Sequence, residues 1–282
     1  MKYDLHLHTT ASDGRLTPAE LVALALERGL EVISITDHDS VGGVEEALAA
    51  TGSSGKITVV PGVEINTDLA TGELHVLGYF IDYRDEGLVA ALARIRESRV
   101  GRAQKMVEKL RELGMPVDWQ RVLDLARGES ICRPHIAQAM LEKGYVSDER
   151  EAFERYIGRD GPAYIGREKV GPADAVRIVK KAGGIPVLAH PADIANVDNI
   201  IVELKAAGLA GLEAYYGQYD SKTVKRCVKM AARHGLLTTG GTDYHHFQDD
   251  REILPGSADI PLSSIEQLFA AASQLKSGWN KL

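Results

Sequence analysis

With 282 residues, 44% of them hydrophobic, the chain can bury a complete core and fits one main domain. A net charge of −7 argues against a broadly basic surface that coats nucleic acid, though it leaves room for a local positive pocket. There is no run of about 18 uncharged apolar residues, no signal-like amino terminus, and no CxxC pair between Cys132 and Cys227, so the chain reads as cytoplasmic with reduced thiols.

In chain order, residues 3–7 read as a strand, and Thr17-Pro18 open an apolar-periodic helix that runs to about 28. A second strand follows at 32–36, then a short helix at 44–50, a loop at 51–55, a third strand at 57–65 and a fourth at 74–80. After Asp82 the pattern turns helical, with segments near 88–113, 119–126, 133–143 and 149–157. Alternation resumes with a helix at 172–182, strands at 185–189, 211–215 and 236–240, helices at 197–207 and 221–234, and a last helix at 264–275.

Repeated strand–helix units imply a parallel sheet with covering helices, and about seven of them predict an α/β fold. The expected form is a distorted seven-stranded TIM-like (β/α)7 barrel over residues 1–82 and 171–282, interrupted by a helical insertion at 83–170. An open doubly wound sheet is the alternative.

His6 and His8 stand two apart at the end of the first strand, so they share a face and can reach one cation; Asp13 lies in the turn beyond. Alone, each further polar residue has a bland explanation. Asp37 or Asp39 could cap a helix, Glu64 could be a solvated strand end, and His75 could be a satisfied core histidine. Taken together they do not stay bland, because His38, Glu64, His190, Asp243 and His245 also fall at or just past predicted strand ends, where barrels place their active sites. Clustered imidazoles and carboxylates repel and need cations. The nine donors His6, His8, Asp13, His38, Glu64, His75, His190, Asp243 and His245 suffice for two or three divalent ions if one carboxylate bridges. Nitrogen and oxygen ligands without thiolate favour Mn²⁺, with Zn²⁺ or Fe²⁺ as alternatives.

The segments HLHTTASDG, ITDHD, PGVEI, VLAHP and GGTDYH, in that order, resemble the motifs of the polymerase and histidinol phosphatase (PHP) family. The resemblance implies a metal-dependent phosphoesterase with His6, His8, Glu64 and Asp243 on one ion, Glu64, His75 and His190 on a second, and Asp13, His38 and His245 on a third. Within the insertion, SICRPHIAQAM is similar to members that dephosphorylate small nucleotides such as 3′,5′-nucleoside bisphosphates, some of which also trim short RNA. Arg133 and His135 are the matching residues: Arg133 offers a planar fork for phosphate oxygens, and His135 a hydrogen bond or a proton. The insertion would then serve as a substrate cap. Catalysis would fall to His190, His135, Arg133 and Asp243, with water attacking phosphorus in line and His190, His135 or another metal-bound water as the source of the leaving-group proton.

The rival readings are a phosphodiesterase or 5′→3′ exoribonuclease acting on short RNA, a histidinol phosphatase, and a non-catalytic metal-stabilised module. No obligate protein partner and no membrane contact is indicated. Four other features carry little chemistry. The stretch 52–56, GSSGK, lacks P-loop spacing. Arg94, Arg96, Arg99, Arg102 and Lys105 alternate with Glu97, Glu108 and Glu112, as on a solvated helix, and His234 suits a helix terminus. His246 has no assigned role.

Overall fold

The computed structural model describes residues 2–52, 55–69, 72–126, 131–166, 170–246 and 252–275. Ser53 and Ser54 of the GSSGK loop and Ser130 of the SICRPHIAQAM segment lie outside them. Seven strands follow one another in sequence order: β1 (Tyr3–Leu7), β2 (Val32–Ile35), β3 (Thr58–Leu69), β4 (Gly72–Tyr79), β5 (Ile185–Leu188), β6 (Gly211–Tyr216) and β7 (Leu237–Gly241). The sheet curls until β7 meets β1, where Asp243 N–H donates to His6 O at 2.9 Å and His8 N–H donates to Tyr244 O at 3.0 Å. The result is the expected distorted α/β barrel, nearly closed.

One expectation fails. The sheet is not wholly parallel, because β4 runs antiparallel to both β3 and β5. Strands β3 and β4 are joined directly as a hairpin, and a connection of that length cannot carry the crossover that a parallel pair requires. The reversal has a functional consequence. His75, near the start of β4, faces the same barrel mouth as residues near the ends of β1, β2, β5 and β7.

The covering helices are placed by ordinary signals. Helix α1 (Pro18–Glu27) starts on a reciprocal Thr17–Glu20 capping box with Pro18 at its first turn. It packs Leu21, Val22 and Ala25 on Leu7, Ile33 and Ile35, together with Ala47 of α2 (Val44–Ala50). Helices α7 (Pro172–Lys181), α8 (Val197–Ala207) and α9 (Ser221–His234) bury Val176, Ile201 and Cys227 against Val76, Leu188 and Leu212. Helix α10 (Leu262–Leu275) covers Tyr3, Val60 and Val187 with Leu268 and Phe269. Cys132 and Cys227 are both buried and form no disulfide among the described residues.

Between β4 and α7 lie α3 (Glu86–Glu112), α4 (Trp119–Ala126), α5 (Arg133–Glu142) and α6 (Glu149–Ala152). The helix expected over 149–157 changes winding at Phe153 and finishes as one π turn, Phe153–Ile157. These helices enclose their own apolar cluster, with Met106, Leu110, Val122, Ile136, Met140 and Ile157 at its centre. Among the described residues, no helix is long and apolar enough to cross a membrane.

Candidate metal centre

The barrel mouth gathers all nine of the donors that the sequence singled out. His6 and His8 leave β1 on one face, fully buried, and Glu64 rises from β3 between them and the β4 side. His6 Nε2 lies 3.4 Å from Glu64 Oε2 and 3.2 Å from Asp243 Oδ1; His8 Nε2 lies 3.4 and 2.9 Å from the same two oxygens. A second group forms on the other oxygen of Glu64, with His75 Nδ1 at 2.8 Å and His190 Nε2 at 3.3 Å from Oε1. Around Asp13 a third group collects: His245 Nε2 is 3.4 Å from Oδ1, while His38 Nε2 is 3.7 Å from Oδ2. His38 also borders the second group, its Nδ1 2.7 Å from Glu64 Oε2, and His8 Nδ1 is 3.7 Å from Asp13 Oδ1.

The backbone is bent to bring these groups together. His190 and Asp243 hold φ angles of 25° and 57°, a region that non-glycine residues avoid and that is tolerated where the surroundings over-determine it. Gly241 makes the approach of β7 to β1 feasible, since a Cβ there would sit 2.4 Å from His6 Cβ and 2.5 Å from His6 N.

Several supporting residues were not legible as such. Glu213, on β6 and fully buried, accepts from His6 Nδ1–H and from His190 N–H, each at 2.9 Å. With Nδ1 donating, His6 turns the lone pair of Nε2 toward Glu64 and Asp243, the arrangement usual for a ligating histidine. Tyr216 OH donates to Asp243 Oδ2 at 2.9 Å and leaves Oδ1 facing the histidines. Asp37 is not a helix cap but a loop clamp, accepting from Thr9 N–H, Thr9 OH and Ser12 OH at 2.7, 2.7 and 2.6 Å, which fixes the turn that carries Asp13. Asp4 does the same for β7, accepting from Thr242 N–H at 3.0 Å and Thr242 OH at 2.6 Å.

The electrostatics ask for cations. Burial alone would push the carboxyls of Asp13, Glu64 and Asp243 up, yet the surrounding imidazoles hold all three well below the usual carboxylate range. Burial works against a charged His245, but Asp13 and Asp243 carry it up to about 9, whereas burial and the neighbouring His245 and His38 bring His8 down to about 3. The rings are thus split between accepting and refusing protons. Six buried atoms of this cluster, His6 Nε2, His8 Nδ1, His8 Nε2, Asp13 Oδ1, Glu64 Oε2 and Asp243 Oδ1, have no hydrogen-bond partner among the described residues. Orphaned donors and acceptors at this density are costly unless a ligand satisfies them, and ligand atoms lie within 4.8 Å of one another in three sets: His6, His8, Glu64 and Asp243; His8, Asp13, His38 and His245; and His38, Glu64 and His75. The donor set therefore fits divalent cations.

In front of the cluster opens a cleft of about 670 Å³, bordered by Asp13, His38, His75 and His245 on the barrel side. Its other wall carries Arg99 and Arg102 of α3 and Arg133 of α5. The solvated-helix expectation fails for Arg99 and Arg102, which are buried. Arg99 Nε pairs with Asp39, and Arg102 Nε donates to Ile165 O at 2.8 Å. Arg133 faces the cleft and donates to Glu73 Oε2 at 2.6 Å. His135 is less accessible: its Nδ1 accepts from Cys132 N–H at 3.1 Å, and it borders an adjoining cavity of about 280 Å³ with Asp13 and Arg15. His234, away from the mouth, lies 2.7 Å from Asp198, and His246 lies 2.5 Å from Tyr244 OH.

A family model described as PHP domain matches residues 4–94. Over 92% of both chains, the sequence is 34% identical to a 3′,5′-nucleoside bisphosphate phosphatase of Chromobacterium violaceum. The chain belongs to the PHP family. It is also 34% identical to a 5′-3′ exoribonuclease of Haemophilus influenzae, across 86% of this chain and 90% of that one. A solved structure from Bifidobacterium adolescentis, assigned as a metal-dependent phosphoesterase, superposes with a TM-score of 0.86 at 30% identity and covers 95% of each chain. This PHP protein is accordingly an enzyme, a metal-dependent phosphoesterase.

Proposed function

We infer that the enzyme removes a phosphate monoester from a small nucleotide, with a 3′,5′-nucleoside bisphosphate as substrate and a 5′-nucleotide and phosphate as products. One observation carries this reading: a single cleft of ligand size has the histidine–carboxylate cluster at one end and buried or half-buried arginines at the other. A molecule with two phosphates matches both ends. The relative from Chromobacterium violaceum supports the same choice.

His6, His8, Glu64 and Asp243, then Glu64, His75 and His190, then Asp13, His38 and His245 would hold two or three divalent ions, with Mn²⁺ first and Zn²⁺ or Fe²⁺ as alternatives. Such ions, when bound, lower the pKa of water and neutralise charge that develops on phosphoryl oxygens. The protein's own contribution is positioning. Arg133 orients the anion through its planar fork, and the helices 83–170 act as a cap over the cleft. His135 offers its Nε2–H as a donor, because Nδ1 is already engaged with Cys132. The ring of His190 is aimed at Glu64, which favours its ligand role over a role as proton source.

Phosphate release from adenosine 3′,5′-bisphosphate, compared with shortening of an oligoribonucleotide and with release from histidinol phosphate, tests the reading. Higher kcat/KM on the bisphosphate is the expected result. A preference for the oligoribonucleotide would transfer the assignment to the exoribonuclease branch.

A further inference from the structure

Glu73 lies on β4 two residues before His75, so both side chains leave the same face of the strand. While His75 points to the Glu64 group, Glu73 borders the arginine end of the cleft, a separation of about 7 Å along the strand. Its two oxygens are shared between two cations. Oε2 is 2.6 Å from Arg133 Nη2, and Oε1 is 3.5 Å from Arg102 Nη2. The second contact is too poorly placed for a hydrogen bond, and Arg102 Nη2 makes none among the described residues, although the side chain is more than nine-tenths buried. A buried guanidinium with an unused donor facing a cleft points to an anionic ligand.

A carboxylate placed only to neutralise Arg102 would be expected to be as buried as that residue. The side chain of Glu73 instead keeps 27% of its surface exposed, close to the 21% of Arg133 and well above the 7% of Arg102. It stands where an incoming anion must arrive, and it offers the arginines the same charge-assisted contacts that phosphate oxygens would.

We propose that Glu73 is a specificity-determining residue, a resident carboxylate that competes with the second phosphate of the substrate for Arg102 and Arg133. It thereby sets how tightly phosphate-bearing substrate and product are held. Binding of the second phosphate displaces Glu73 from Arg133, and its return speeds departure of the 5′-nucleotide. The assignment rests on the bisphosphate reading for its substrate, but not for its test by binding.

The experiment compares wild type, Glu73→Gln and Glu73→Ala. Steady-state kinetics use adenosine 3′,5′-bisphosphate and adenosine 3′-monophosphate, and calorimetry measures binding of adenosine 5′-monophosphate. In both variants, KM for the bisphosphate should fall about fivefold relative to KM for the 3′-monophosphate, the size of one partly screened charge interaction. Adenosine 5′-monophosphate should bind about fivefold tighter by the same reasoning. Were the KM ratio and the 5′-monophosphate affinity unchanged, or both shifted toward weaker binding, Glu73 would be a support for the arginines and the proposal would be overturned. If the bisphosphate is not hydrolysed but the 5′-monophosphate still binds tighter to the variants, the substrate assignment fails while the role of Glu73 stands.

Discussion

Replacing Glu213 by Gln removes a charge and almost no volume, which makes it a clean probe of how the site is organised. The carboxylate is fully buried and spends one oxygen on His6 Nδ1–H and the other on His190 N–H, both at 2.9 Å. A Gln amide has one oxygen for these two donors. If its NH₂ faces His190, a buried backbone N–H loses its acceptor at a cost of about 1–3 kcal/mol. If the NH₂ faces His6, that ring must switch tautomer and place its proton on Nε2, which points at Glu64 and Asp243 and would block a cation there. Either way, cation affinity should fall about 10- to 100-fold, the range typical of lost carboxylate–histidine partners. The loss should be confined to ions held through His6 and His190, leaving the Asp13, His38 and His245 group occupied. Competition against a coloured chelator measures the affinities, and circular dichroism checks the fold. A folded Gln variant with wild-type affinity at every site would refute the positioning argument.

Asp243→Asn and His38→Ala should each cut turnover by orders of magnitude with the fold intact by circular dichroism; full activity in both would contradict the site. Gly241→Ala drives a methyl into His6 and should destabilise by about 1–3 kcal/mol, or about 2–4 °C per kcal/mol in a thermal melt, so an unchanged Tm would count against the packing. The metal-free enzyme should respond to pH through His245, whose folded-state pKa lies up at about 9. Its contribution is complete below the unfolded value near 6.5 and disappears as pH climbs through about 9, so Tm in chelator should decline over that interval. With cations bound, the imidazoles are deprotonated ligands, and Tm should instead rise with pH; parallel trends in the two conditions would refute the linkage.

Most of the barrel could be read from periodicity, because β2 and β5 are buried on both faces and appear as short, mostly apolar runs between turn signals, while β1 alternates apolar residues with Asp4 and His6. The reversal of β4 was legible only in hindsight, from the shortness of its link to β3. Seven of the nine mouth donors were visible because chemistry at strand ends is a positional signal that survives without coordinates; Asp13 lies in the turn after β1, and His75 near the start of β4. Glu213 and Tyr216 were hidden for the opposite reason: on β6 they look like ordinary strand residues, and only the barrel's closure sets them against His6 and Asp243. Arg99 and Arg102 were misread because a charged helix exposes most of its charges, and which turn faces a cleft depends on how α3 docks.

The account depends most on cations bound by the gathered mouth residues. Crystals of the protein grown with Mn²⁺ and measured at the manganese absorption edge would show this directly. Anomalous peaks should fall among His6, His8, Glu64 and Asp243 and beside Asp13 and His245, and phosphate release should stop on chelation and return with added Mn²⁺. Featureless anomalous density at the mouth, together with hydrolysis indifferent to chelator, would contradict it.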